Sequence, residues 1–209
     1  MNNFLPSDFK EPTQSNYMDF QEGDNTFRVL DQAVLGWEYW MNKIVDGETK
    51  PRPVRVKEQD QIPVGDVLEG KYGLQLYYFW AFPVYNFNDS RIQILVIKQK
   101  TIRRGMLGFI KNAKWGDPKD YNFVVTKGKD ESGKVVYTVM TEPKEPLDKK
   151  ILDAFKDLKL DMDVWFRCDD PFNTKNARNE AVDEPTAKLK TMVTESVASS
   201  EEVANDVPF

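Results

Sequence analysis

Between Tyr77 and Trp115 the chain sets aromatic rings directly against cations. Tyr77-Tyr-Phe-Trp-Ala-Phe-Pro-Val-Tyr-Asn-Phe87 runs into Arg91-Ile-Gln-Ile-Leu-Val-Ile-Lys98. From Arg91 to Trp115 there are seven Lys or Arg and no Asp or Glu. Rings stack on bases and a positive groove tracks phosphates, so these residue types in this order suit a single nucleic-acid strand. The competing reading is an aromatic core strand beside a solvated basic helix face. Nothing in the residues separates RNA from DNA, because no pattern reports a 2′-OH contact.

Other chemistries are short of residues. The chain has no histidine. That removes the commonest general base, the Ser-His and Cys-His pairs and the usual zinc ligands. Cys168 is the one cysteine, which rules out an internal disulfide framework and fits a reducing compartment. Gly128-Lys-Asp-Glu-Ser-Gly-Lys134 matches a phosphate-loop pattern, but Val135 stands where Ser or Thr would hold magnesium. A strand follows where a helix should start, so a hairpin turn is expected. Asp148, Asp153, Asp157, Asp161 and Asp163 are interleaved with lysines and read as a solvated helix face. We expect no enzyme, no cofactor and no metal. The alternatives are a non-nucleic-acid interaction protein or a carboxylate-metal nuclease.

The elements that must position these residues follow from periodicity. Thr26–Leu30 alternates as a strand, and Ala33–Met41 as a second strand or a continuation of the first past a bulge near Gly36. Asp46-Gly47 is a hairpin-type turn, and Lys50–Lys57 an edge strand or extended loop. Residues 58–71 read as an excursion loop. Tyr72–Phe87 and Arg91–Lys98 are strands joined at Asn88-Asp89-Ser90. Large rings occupy both faces of the first, so one face is expected to stay uncovered as a binding surface. Lys100–Ala113 switches to helical spacing through Ile102, Met106, Phe109 and Ile110. Two strands follow, Tyr121–Lys127 and Val135–Met140, then a helix marked by Leu147, Ile151, Phe155 and Leu158. The expected fold is mainly β with short helices, with an OB-fold-like small Greek-key barrel as the best candidate; an SH3-like barrel or an open α+β sheet would give much the same pattern.

The net charge of -5 hides a polarised chain. Residues 25–168 carry 24 Lys or Arg against 20 acids, while the ends on either side are acidic. We divide the chain into a flexible N-terminal arm at 1–22, with the local cluster Tyr17-Met-Asp-Phe20 as a candidate to dock it, a body at 23–172 and a disordered acidic tail at 173–209. No apolar run reaches bilayer length and no leader is apparent, so a cytoplasmic location and no membrane partner are expected. The tail ends Asp206-Val207-Pro208-Phe209, with no Lys or Arg after Lys190. An apolar tip on an acidic tether suits a pocket in a protein partner. The same acidity suggests that the tail competes for the basic groove.

Asp206-Val-Pro-Phe209 resembles the acidic tip of bacterial single-stranded DNA-binding proteins, which typically ends Asp-Ile-Pro-Phe. The body resembles a single-stranded DNA-binding protein of tailed phages. The stretches that carry this are Tyr17–Leu30, Gly36–Trp40, Trp80–Asn86, Ile94–Ile102 and Lys114–Pro118 with Tyr121. The resemblance implies an OB-fold that coats single strands during replication, recombination and repair, and a tail tip that recruits partner proteins. The chain departs from the T-even members in lacking zinc ligands and in having an acidic N-terminal arm. Candidate contacts to DNA are Arg28, Trp37, Trp40, Arg52, Arg55, Lys57, Tyr77, Phe79, Tyr85, Lys98, Lys100, Arg103 and Arg104.

Overall fold

β-Branched and aromatic residues at alternating positions build the strands, and Gly, Asp and Asn close the turns between them. The computed structural model describes residues 15–172 apart from 46, 64 and 72. The strands are β1 (Tyr17–Met18), β2 (Gly23–Val29), β3 (Val34–Val45), β4 (Glu48–Val56), β5 (Glu69–Gly70), β6 (Gly73–Leu74), β7 (Leu76–Asn86), β8 (Arg91–Ile97), β9 (Asn122–Lys129) and β10 (Val135–Thr141). The helices are α1 (Lys100–Ile110) and α2 (Lys149–Leu158), and a 3-10 turn spans Met162–Arg167. The fold is thus mainly β with short helices. The expectations for residues 1–14 and for the tail with its tip, Asp206–Phe209, lie outside the described residues.

β7 is the hub of a mixed sheet. One edge pairs with β8, from Trp80↔Ile97 to Asn86↔Arg91. The other edge meets β3 over Leu76–Ala81 and then β2 over Val84–Asn86. β2 and β3 are therefore two legs of one broken strand. The break falls at residues 30–33 rather than near Gly36, and Leu30 N–H donates to Pro83 O across it at 3.0 Å. Pro83 stands where the ladder needs no donor, which is how a proline is tolerated in a central strand. β9 pairs with β2, and β10 with β9. The Gly128–Lys134 run forms the β9–β10 connection, where Asp130 Oδ1 accepts the N–H groups of Ser132 and Lys134 at 2.9 Å.

One sequence expectation is corrected by the topology. The sheet is open, not a closed Greek-key barrel. Among the described residues β1 and β10 end its main path, and β4 pairs with β3 alone. Closure depends on which strands meet across the chain, and composition carries no signal for that. The cluster at the end of the arm docks on the body. Tyr17–Met18 pairs in parallel with β8, and Met18 and Phe20 are buried.

Two apolar layers flank the sheet. On one face Phe27, Phe82, Leu95 and Phe123 pack under Ile102 and Met106 of α1. On the other, Phe79, Ala81 and Ile94 pack under Trp165. From Ala81 to Val84 both faces of β7 are covered, whereas Tyr77 is 41% exposed and Tyr78 and Trp80 are half-buried, so ring surface stays open toward the start of the strand. The cover is the segment after α2, whose irregular 3-10 path has no periodicity to announce it. Gly36 lets that segment close. A Cβ there would lie 2.5 Å from Val56 O and 2.8 Å from Phe166 Cε1. Gly36→Ala is expected to lose about 1–2 kcal/mol through overpacking. Urea unfolding reads this directly, and an unchanged midpoint would contradict the packing.

Candidate nucleic-acid interface

The β3–β7 register sets Trp37 opposite Tyr78 and Leu35 opposite Trp80. The Trp37 and Tyr78 rings lie 5.2 Å apart at 58°. α1 begins just after β8 and buries Ile102 and Met106, one turn apart. That spacing leaves Arg103 free to reach Tyr78. Its guanidinium carbon sits 4.8 Å from the Tyr78 ring, and Nη1 donates to the Tyr78 carbonyl. Lys100 and Arg104 are exposed on the same helix. Trp37 and Tyr78 are half-buried, and Leu35 is 46% exposed. Same-face positions two residues apart stand roughly 6.6 Å apart. This face therefore carries a short ladder, Trp80 with Leu35 and then Tyr78 with Trp37, with the Arg103 guanidinium against its Tyr78 ring.

The opposite face carries a buried ion cluster. Glu38, opposite Tyr77 and Arg55, accepts Arg55 Nε at 2.9 Å and Lys98 Nζ at 2.5 Å. The Arg55 guanidinium carbon lies over Trp165, 4.0 Å from its ring centre. Lys98 Nζ is 5.5 Å from the Tyr77 ring, and Lys57 Nζ is 5.3 Å from that of Phe166. One carboxylate thus holds two cations, so a phosphate arriving here competes with Glu38.

Burial alone would raise the Glu38 carboxyl, but Lys98 and Arg55 together outweigh it and the net shift is downward. A lowered folded-state value means the charged form favours folding. That stability is present above the ordinary carboxylate range and is lost as pH falls through the lowered value. Glu38→Gln is expected to cost roughly 1.5–3 kcal/mol at pH 7, the range for hydrogen bonds to charged groups. It should also flatten the acid limb of stability against pH, read by thermal unfolding between pH 3 and 7. An acid limb unchanged by the substitution would assign it to other carboxylates.

No protein-family model, curated protein or solved structure matches this chain. The candidate contacts are distributed as follows. Trp37, Lys100, Arg103 and Arg104 belong to the α1 side, and Arg55, Lys57, Tyr77 and Lys98 to the Glu38 side. Trp40 and Arg52 lie along the β3–β4 hairpin, opposite Pro53 and Met41. Tyr85 sits eight residues along β7 from Tyr77, with Phe87 edge-on at 5.0 Å. Two candidates are interior and are corrected. Arg28 is 1% exposed and donates to Asn122 Oδ1 at 2.7 Å and to the carbonyls of Lys119 and Glu145 at 3.1 Å. Phe79 is fully buried between Trp165 and Phe166. Neither can meet a strand at the surface.

Sequence reasoning missed Tyr78, Leu35, Glu38 and Trp165 as parts of these clusters. Glu38 had a signal, because an acid inside Trp37-Glu-Tyr-Trp40 needs a cationic partner if that run is buried. The pairing of Trp37 with Tyr78 had none, since it exists only in the β3–β7 register. Among the described residues, no cluster of His, Cys, Asp or Glu is suited to a metal, and no helix is long and apolar enough to cross a membrane.

Proposed function

We propose that this chain binds single-stranded DNA without sequence specificity and coats it during phage DNA replication, recombination and repair. The observation that carries the reading is the Trp37–Tyr78 ring pair beneath Arg103, with Lys100 and Arg104 exposed on the same helix. Rings offer a π-face to any base, and cations take the phosphates, which gives affinity without base readout. We read the sheet as an open form of an OB-like architecture, a reading supported by the broken β2–β3 strand that serves β9 and β7 in turn. In this proposal the protein has no catalytic role and acts in the host cytoplasm. Asp206, Val207, Pro208 and Phe209 recruit replication or recombination proteins.

The test is a tryptophan-fluorescence titration with oligo-dT, a matched duplex and oligo-U, each at low and high salt. Five tryptophans supply the signal. Strong quenching by oligo-dT and weak response to duplex are expected. If three phosphates are neutralised, log affinity should fall against log salt with a slope of about −2. No response to any strand would overturn the reading and leave a protein-interaction role. Magnesium-dependent loss of the strand would point to the nuclease instead.

A further inference from the structure

Next to the Trp37–Tyr78 pair, the same face opens into a cavity of about 460 Å³. Its walls are Leu35, Trp80, Phe82, Met106, Leu107 and Ile110. The rim is polar. Asp31 and Gln32 come from the break between β2 and β3, and Asp117 and Lys119 from the turn before β9. Asp31 Oδ1 accepts the Gln32 backbone N–H at 2.8 Å, and Asp117 Oδ1 that of Lys119 at 2.9 Å. Each carboxylate is pinned by one oxygen and has a second to offer as an acceptor.

This combination selects its occupant. Apolar walls with a few polar groups at the mouth suit a flat ligand that buries its faces and presents a polar edge. Two carboxylates against one ammonium disfavour a phosphate here. An aliphatic side chain would cover the walls but make no use of the acceptors at the rim. A nucleobase meets both demands. Trp80 and Leu35 are one same-face step, roughly 6.6 Å, from Tyr78 and Trp37, so the base beside a stacked one comes to this opening. Cytosine brings an amino group to acceptors at the rim, where thymine has a carbonyl.

We propose that the cavity takes one unstacked base of the bound strand and favours bases with an exocyclic amine. The proposal rests on the single-stranded DNA reading above. It adds a modest preference, set by Asp31 and Asp117, to binding that is otherwise indifferent to sequence. Its test compares labelled oligo-dC and oligo-dT of equal length by fluorescence anisotropy at one salt concentration. Oligo-dC should bind about three- to tenfold tighter, the worth of one added hydrogen bond. The pair Asp31→Asn and Asp117→Asn keeps the backbone anchors but adds donors that serve thymine equally, so the ratio should fall toward one. Leu107→Trp fills the cavity and should collapse the ratio by a different route. Equal affinities in the unmodified protein overturn the base pocket and leave the coating role standing. A preference that survives both changes does the same. Absence of binding to either strand overturns the coating role and the pocket together.

Discussion

Arg28→Ala should unfold far more easily than the unmodified protein and, while folded, should bind oligo-dT as before. The guanidinium is sealed within the sheet's polar flank and bonds three acceptors, Asn122 Oδ1, Lys119 O and Glu145 O. Asn122 in turn donates to the carboxylates of Glu142 at 2.7 Å and Glu145 at 3.0 Å. Removing the cation strands those acceptors and leaves a void. Breaking one partner out of such a buried charged network costs about 3–5 kcal/mol. For a domain of this size that is a fall in Tm on the order of 10 °C. Arg28→Lys should recover less than half, because an ammonium cannot reproduce the fork. The opposite pattern, a normal Tm with weaker oligo-dT binding and a salt slope shallower by about 0.7, would make Arg28 a phosphate contact.

Arg28 also shows where sequence reading stops. In β2 it alternates with Phe27 and Val29, and the period-2 rule assigns it to solvent. Its burial is decided by residues 91 to 117 positions away, at Lys119, Asn122 and Glu145. Phe79 fails the same way, because Trp165 and Phe166 close over it from the far end of the body. Local features were legible. β7, β8, α1 and the β9–β10 connection lie within a few residues of where alternation, turn chemistry and the change of period place them. β3 ends at Val45 and β4 begins at Glu48, on either side of the Asp46-Gly47 signal. Openness of the sheet and the split of the cations between two faces depend on strand order and register, which no single segment encodes.

Trp37→Ala with Arg103→Gln should weaken oligo-dT binding about a hundredfold, the second large effect expected here. Base–ring stacking is worth roughly 1–3 kcal/mol per base, so Trp37→Ala alone should cost about tenfold or more. Arg103 does two things. It carries charge toward the strand, and it holds the Tyr78 ring and carbonyl in place. Its replacement should make the salt slope shallower by about 0.7 and also loosen the ring beside Trp37. Because the two side chains meet at Tyr78, their effects should couple rather than add. The Glu38 side supplies the control. Tyr77→Ala with Lys98→Gln removes a ring and a cation of matching type from the other face, where Glu38 already neutralises much of the charge. If that pair carries the loss and the Trp37 pair does not, the strand lies across Tyr77 and Arg55, and Glu38 is the group it must displace. A loss confined to the Trp37 pair sets the path along α1, past Trp80 and toward the cavity beyond it.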